Sequence, residues 1–256
     1  MDAGNFATLT ETFQPWERTS FVWDMMAYLG YDVVTPGDLE LMEGIDSLRT
    51  LMSRHPEVEV VSANLQDVEG AKIFPEYTVI EKNGLRVGIT GVTGGSYYRH
   101  DRLGRGPGEN QFTFEDERNA LQRVVPRLEE ESDLVVGLLH VGPGDVRRII
   151  KDIPGFDVVV VGHNPGYMFS PDTVGSTLIL QPGSRGQYLS VLDLIVDTAT
   201  DSLFVFSGEA RPLGDGVEKD PEVDAIVSKW EDDFSARRKG ASRTARQAKK
   251  EEKAPS

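Results

Sequence analysis

The chain has 256 residues, 39% of them hydrophobic, a formal charge of −15 and no cysteine. Disulfides, thiolate nucleophiles and cysteine-ligated zinc are therefore excluded. No apolar run approaches the ~18–20 residues of a membrane span. Met1-Asp-Ala-Gly-Asn5 has neither the basic nor the apolar region of a signal peptide.

The elements alternate along the chain. Phe21 to Leu29 carries apolar residues at helical spacing, and Tyr31 to Thr35 reads as a short strand. Ile45 to Met52 repeats Ile45, Leu48, Leu51 and Met52 as one helix face, and Val58 to Ala63 reads as a strand. Tyr77 to Ile80 and Arg86 to Gly91 flank Asn83-Gly84, a strong hairpin signal. The polar segment Gly94 to Gln111 carries Arg99, His100, Arg102 and Arg105, a length of loop that is usually functional or mobile. Phe114 to Glu131 reads as a charged amphipathic helix. Leu134-Val-Val-Gly-Leu-Leu-His140 and Asp157-Val-Val-Val-Val-Gly-His163 read as buried strands around a helix from Asp145 to Asp152. Leu178 to Leu180, Leu189 to Val196 and Leu203 to Ser207 follow without helices between them, so antiparallel pairing is expected there. Pro221 opens a closing helix to Phe234.

This order predicts an α/β fold, a four-layer α/β/β/α sandwich of two mixed sheets. Val33, Val60, Ile89, Val135, Val136, Leu138, Val158, Val160, Ile179 and Leu192 are its expected buried strand residues. The expected divisions are a domain over 1–214, a helix over 215–234 and a basic tail over 235–256. The tail is read as disordered or loosely helical. It holds eight Lys/Arg against two Glu, a net of about +6, which leaves about −21 on the rest. Such an acidic body argues against nucleic-acid binding by the folded part. The tail reads as a solubilising end or as a contact for an anionic surface or acidic partner.

His140 and His163 each end an apolar strand. A parallel sheet presents functional residues at its carboxyl ends, so both imidazoles are expected at one edge. Asp38 lies in the turn Pro36-Gly37-Asp38. Two competing readings remain: buried structural histidines, and an Asp38 that serves only its turn. His55 and His100 read as solvated, and Gly183 and Gly186 as turn glycines.

Five segments occur in a telling order: Tyr31-Asp-Val-Val-Thr-Pro-Gly-Asp-Leu-Glu40, Val61-Ser-Ala-Asn64, Asn83-Gly-Leu-Arg-Val-Gly-Ile-Thr-Gly91, Gly162-His163 and Gln181-Pro-Gly-Ser-Arg-Gly-Gln-Tyr188. From about Asp2 to Leu213 the chain resembles the catalytic domain of calcineurin-like metallophosphoesterases, in the 5′-nucleotidase and UDP-sugar hydrolase branch. That resemblance implies a hydrolase of phosphate monoesters or nucleotide-type esters, a small phosphorylated substrate and bound divalent metal. It also implies a periplasmic or extracellular setting, although no signal peptide is present.

Members of the family hold two metals with five motifs, and this chain departs from several. The upstream D-x-H has no counterpart. The G-D motif, whose Asp bridges the metals, reads Gly4-Asn5. G-N-H-[DE] reads Gly37-Asp38-Leu39-Glu40, with Leu39 where the family has a proton-donating His. The lone His is His140. G-H-x-H reads Gly162-His163-Asn164-Pro165. A neutral Asn5 cannot offset the repulsion of two dications, so a two-metal cluster is not expected. The resemblance instead implies one divalent ion (Zn, Mn or Fe) on His140, His163 and Asp38, with Asn5 as a fourth contact. Three functional readings stay open: a weakened or inactive hydrolase, a non-catalytic metal- or anion-binding pseudoenzyme, and a chain whose first family strand precedes Met1. A missing first strand would leave the middle of a sheet unpaired, with apolar surface exposed, and predicts poor solubility or self-association. Resembling enzymes carry a nucleotide-binding second domain after the catalytic one that has no counterpart in this sequence, so base recognition by aromatic stacking has no evident source and substrate identity is not legible.

Overall fold

The computed structural model describes residues 1–7, 15–97, 111–163, 166–197 and 202–251. Arg99, His100, Arg102, Arg105, Asn164 and Pro165, singled out above, lie outside them.

A six-stranded mixed sheet forms the centre of Met1–Pro212, the first of two compact units. Its strands are β4 (Tyr77–Lys82), β5 (Leu85–Thr93), β7 (Leu134–His140), β8 (Val158–Val161), β9 (Asp172–Val174) and β10 (Thr177–Leu180). They lie in the order β4-β5-β7-β8-β10-β9. The four inner strands are parallel, and β4 and β9 add antiparallel edges. Near-continuous apolar runs suit strands that are covered on both faces. Side chains alternate between the faces with period two. Val135 and Leu139 of β7, Val159 of β8 and Ile179 of β10 face one side. There they pack with α3 (Glu117–Glu131) and α4 (Pro143–Asp152) through Leu121, Val125, Leu128, Val146 and Ile149. Asp116 caps α3, accepting the Arg118 and Asn119 N–H groups at 3.0 and 3.1 Å.

Ile89, Val136, Leu138, Val158, Leu178 and Leu180 face the other side, in one cluster with Val33 and Val61 and with half-buried Leu192, Leu194 and Leu203. Val33 belongs to β1 (Val33–Val34), which pairs in parallel with β2 (Glu59–Val60). Leu192 and Leu203 come from the antiparallel pair β11 (Tyr188–Asp197) and β12 (Ser202–Pro212). Val34, the next residue along β1, packs instead with Trp23 and Met26 of α1 (Pro15–Tyr28) and Leu48 and Leu51 of α2 (Ile45–Met52). The layers thus run helix, strand, strand, helix, as expected. The second sheet layer consists of separate pairs, β1–β2 and β11–β12, because β1 and β2 each contribute only two paired residues. A smaller antiparallel pair joins β3 (Leu65–Asp67) to β6 (Phe112–Phe114).

Several local readings change. Phe112–Phe114 is strand, and the helix expected from Phe114 starts at Glu117 after its Asp116 cap. β10 runs parallel to β8; the antiparallel pairing expected there falls to β9, which turns back onto β10 at Gly175 (φ +62°). Seven of the ten expected core residues are buried, whereas Val60, Val160 and Leu192 are half-buried. In the second unit, Leu213–Ser256, α5 spans Pro221–Glu251 and does not stop at Phe234. The expected disordered or loosely helical tail is helical to Glu251, since Ala, Lys, Arg, Gln and Glu are strong helix formers and dominate it. Trp230 and Phe234 stack one turn apart, with ring centroids 4.9 Å apart. No helix among the described residues is long and apolar enough to cross a membrane.

Candidate metal centre

His140 is the last residue of β7, and His163 lies two residues beyond the end of β8. β7 and β8 are parallel neighbours with Leu139 opposite Val161, so both imidazoles emerge at one carboxyl edge. Asp38 arrives from the loop after β1. Asn5 follows Asp2, whose N–H donates to the Val33 carbonyl and whose carbonyl accepts from Thr35 N–H. The structure brings Asp38, His140 and His163 together, one ligand-type atom of each within 4.8 Å of the others. His140 Nε2 lies 3.0 Å from Asp38 Oδ1 and 3.2 Å from His163 Nδ1, and His163 Nδ1 lies 3.7 Å from Asp38 Oδ1. The His140 side chain is fully buried and that of His163 is 32% exposed, which leaves the cluster one accessible side.

Glycines shape this packing. Gly4, Gly37 and Gly162 each precede a residue of interest, and a Cβ on any of them would meet the His140 ring at 2.8–2.9 Å and overlap backbone or the Asn5 amide as well. The chain can wrap the imidazole this closely only where side chains are absent. Gly4 and Asn5 also hold left-handed backbone, with φ +90° and +65°.

The hydrogen bonds fix the His140 tautomer. Its Nδ1 lies 2.7 Å from the Ala3 carbonyl oxygen, which can only accept, so Nδ1 carries a proton. In the neutral ring the Nε2 lone pair then faces the Asp38 carboxylate and His163. Two acceptors 3.0 Å apart repel unless a cation or a proton lies between them. Four-coordinate zinc with bonds of ~2.0–2.1 Å spaces its ligand atoms roughly 3.3 Å apart, close to the 3.0, 3.2 and 3.7 Å seen here. A backbone carbonyl on the far nitrogen is also a common outer partner of metal-binding histidines. The donor set fits one divalent ion.

Asn5, expected as a fourth contact, is held beside the cluster. Its Oδ1 accepts the Leu39 N–H at 3.0 Å, and its side chain hydrogen-bonds Asp38. It therefore contacts Asp38 and the backbone next to it. Burial pushes the Asp38 carboxyl up, but the adjoining His140 and His163 imidazoles and the Asn5 side chain outweigh it and hold the group well below the usual carboxylate range. Burial raises the carboxyls of Asp2 and Glu40, against backbone hydrogen bonds and the nearby His140. Asp38 is thus the carboxyl held in its charged form beside the imidazole, where it favours a cation.

Sequence reasoning missed the part played by Glu40, which is fully buried; its signal was the acidic position that ends the third motif. His55 is not simply solvated: its ring nitrogens lie 2.9 Å from Asp24 and 3.0 Å from Glu57. Gly183 and Gly186 have φ of +84° and +63°, as turn glycines do.

No protein-family model matches the chain. Bovine (Bos taurus) 5′-nucleotidase is 24% identical over 256 residues, covering 90% of this chain and 43% of the relative. The uncharacterised metallophosphoesterase YunD of Bacillus subtilis is 22% identical over 180 residues, 69% of this chain and 37% of its own. Among solved structures, a 5′-nucleotidase precursor of Thermus thermophilus superposes with a TM-score of 0.78 at 22% identity, covering 92% of this chain and 49% of that one. The calcineurin-like phosphoesterase YfkN of Bacillus subtilis gives 0.69 at 22%, over 83% and 73%. The solved structures show the fold. The chain spans less than half the length of these two curated relatives.

Proposed function

We propose that this chain, a relative of the calcineurin-like metallophosphoesterases of the 5′-nucleotidase branch, binds one divalent cation (zinc, manganese or iron) through Asp38, His140 and His163. Its substrate class is a phosphate monoester or nucleotide-type ester, and its hydrolytic turnover is weak or absent. The observation that carries the cation site is the His140 ring, whose Nδ1 proton is committed to Ala3 while Nε2 faces Asp38 and His163. When bound, the cation would supply Lewis acidity toward a phosphoryl oxygen and acidify a water.

The residues beside the site favour weak chemistry. Leu39 has no proton to give a leaving group, and such general acid–base assistance is typically worth ~10²–10⁴-fold. Asn5 is engaged with Leu39 and Asp38 and adds no charge with which to hold a second dication. These two features also support the second reading, a binding protein that keeps the pocket without turnover.

The test combines metal analysis with activity. Purified protein and His140→Ala are assayed for bound metal and for hydrolysis of p-nitrophenyl phosphate and nucleoside monophosphates, with Mn or Zn added. At most about one ion per chain is expected, lost in His140→Ala, with turnover near background. Two tightly held ions, or metal retained by His140→Ala, would overturn the site. Robust turnover abolished by His140→Ala would overturn the weak-activity reading and show that one metal suffices.

A further inference from the structure

We propose that Glu40 is the positioning residue that clamps the two loops of the centre together and so sets where Asp38 stands. The inference rests on the cation-site reading for its consequence, but the clamp itself is visible in the hydrogen bonds. Glu40 is fully buried and its carboxylate accepts three backbone N–H groups from two separate segments. Oε2 accepts Asn5 N–H at 2.9 Å and Gly37 N–H at 2.7 Å, and Oε1 accepts Ala7 N–H at 2.5 Å. Asn5 returns the link, its Oδ1 accepting Leu39 N–H at 3.0 Å. Segments 4–7 and 37–40 are thus zipped by three side-chain-to-backbone bonds, while the Gly37 bond closes the 37–40 turn onto the same carboxylate.

The residues between those bonds carry the chemistry. Asp38 lies between Gly37 and Leu39, both of whose N–H groups are held. Gly37 and Gly4 press on the His140 ring, so the position of Asp38 relative to His140 depends on the same two loops. Asp2 Oδ1 also accepts Gly4 N–H at 2.8 Å, a bond within one loop that cannot join the two. The length of the Glu side chain matters, since one carboxylate must reach both loops at once. Glutamine can keep an oxygen toward Asn5 and Gly37, but then its NH₂ opposes the Ala7 N–H. Alanine removes all three acceptors.

The test uses the full chain, Glu40→Gln and Glu40→Ala, with two readouts. The first is amide hydrogen exchange by NMR at Asn5, Ala7 and Gly37 in metal-free protein. The second is Mn or Zn affinity by competition with a chromogenic chelator. Selective loss of protection at Ala7 in Glu40→Gln and at all three amides in Glu40→Ala is expected. Metal affinity should fall ~10–100-fold, the usual effect of losing an outer partner of a metal ligand. Unchanged exchange at these amides, or affinity within twofold of the parent, would overturn the clamp. Exchange that rises evenly through β7 with affinity preserved would mark a general folding role and would overturn it too. Should both variants fail to fold, protection in the parent decides: Asn5, Ala7 and Gly37 amides that exchange as fast as exposed ones refute the clamp. A parent that takes up neither metal would refute the cation reading, while the exchange arm still judges Glu40.

Discussion

Gly162→Ala tests how tightly the candidate centre is packed. Gly162 does not hold left-handed backbone, so the substitution costs nothing in φ and reports sterics alone. A Cβ there would stand 2.8 Å from His140 Nδ1 and overlap the Ala3 carbonyl oxygen. Those two groups form the 2.7 Å hydrogen bond that fixes the His140 tautomer. Overpacking typically costs ~1–3 kcal/mol, and parting a buried donor from its acceptor costs ~1–3 kcal/mol. Together a loss of about 2–6 kcal/mol is expected. For a unit of this size each kcal/mol lowers Tm by ~2–4 °C, so calorimetry should find a drop of roughly 4–24 °C. Metal affinity should fall as well, because the ring that presents Nε2 is displaced. A Tm within about 2 °C of the parent, with metal uptake unchanged, would refute the close-packed centre.

Gly144→Ala is the contrasting case: no atom lies within 4 Å of a Cβ there and the residue is in α4, so stability should hold or rise by up to about 1 kcal/mol; a clear drop in Tm would contradict the open position. Leu138 is fully buried between the sheet layers, and Leu138→Ala should cost ~2–5 kcal/mol in urea unfolding, whereas a loss below 1 kcal/mol would mean a looser core than described. Glu115 binds Arg123 at 2.6 and 3.0 Å and Lys72 at 2.5 Å. Arg123 is the larger cause, with Lys72 adding to it against the opposing effect of burial, and the Glu115 carboxyl is held below its ordinary value. A depressed folded-state value gives stability that is present above about pH 4.5 and lost as pH falls through the folded value. The Tm gap between the parent and Glu115→Gln should therefore be wide at pH 7 and close at lower pH; a gap that widens on acidification would reverse the sign of the argument.

Much of the fold was legible because its cues are local. The apolar runs that end in His140 and His163 mark strands covered on both faces, and Asn83-Gly84 marks the hairpin of β4 and β5. Alternation of such runs with helical spacing is enough to predict layers, and the order of short motifs is enough to resemble a family. The placement of β10 was not local: a strand four residues long carries no signal for parallel or antiparallel neighbours, and pairing with β8 depends on the path of the chain through β9. The length of α5 was underestimated because the absence of an apolar period was weighed above the helix propensity of the basic residues.

The sequence by itself determined which side chains could meet a cation, since strand ends and glycine turns are written in short stretches of chain. Only the tertiary structure decided what each does. The carbonyl that orients His140 comes from Ala3, 137 residues away along the chain. The Asn5 oxygen turns to the Leu39 N–H from another loop, and the three N–H groups held by Glu40 come from both loops at once. Hydrogen-bond direction and close approach depend on distances across space, and a sequence fixes distances only along the chain.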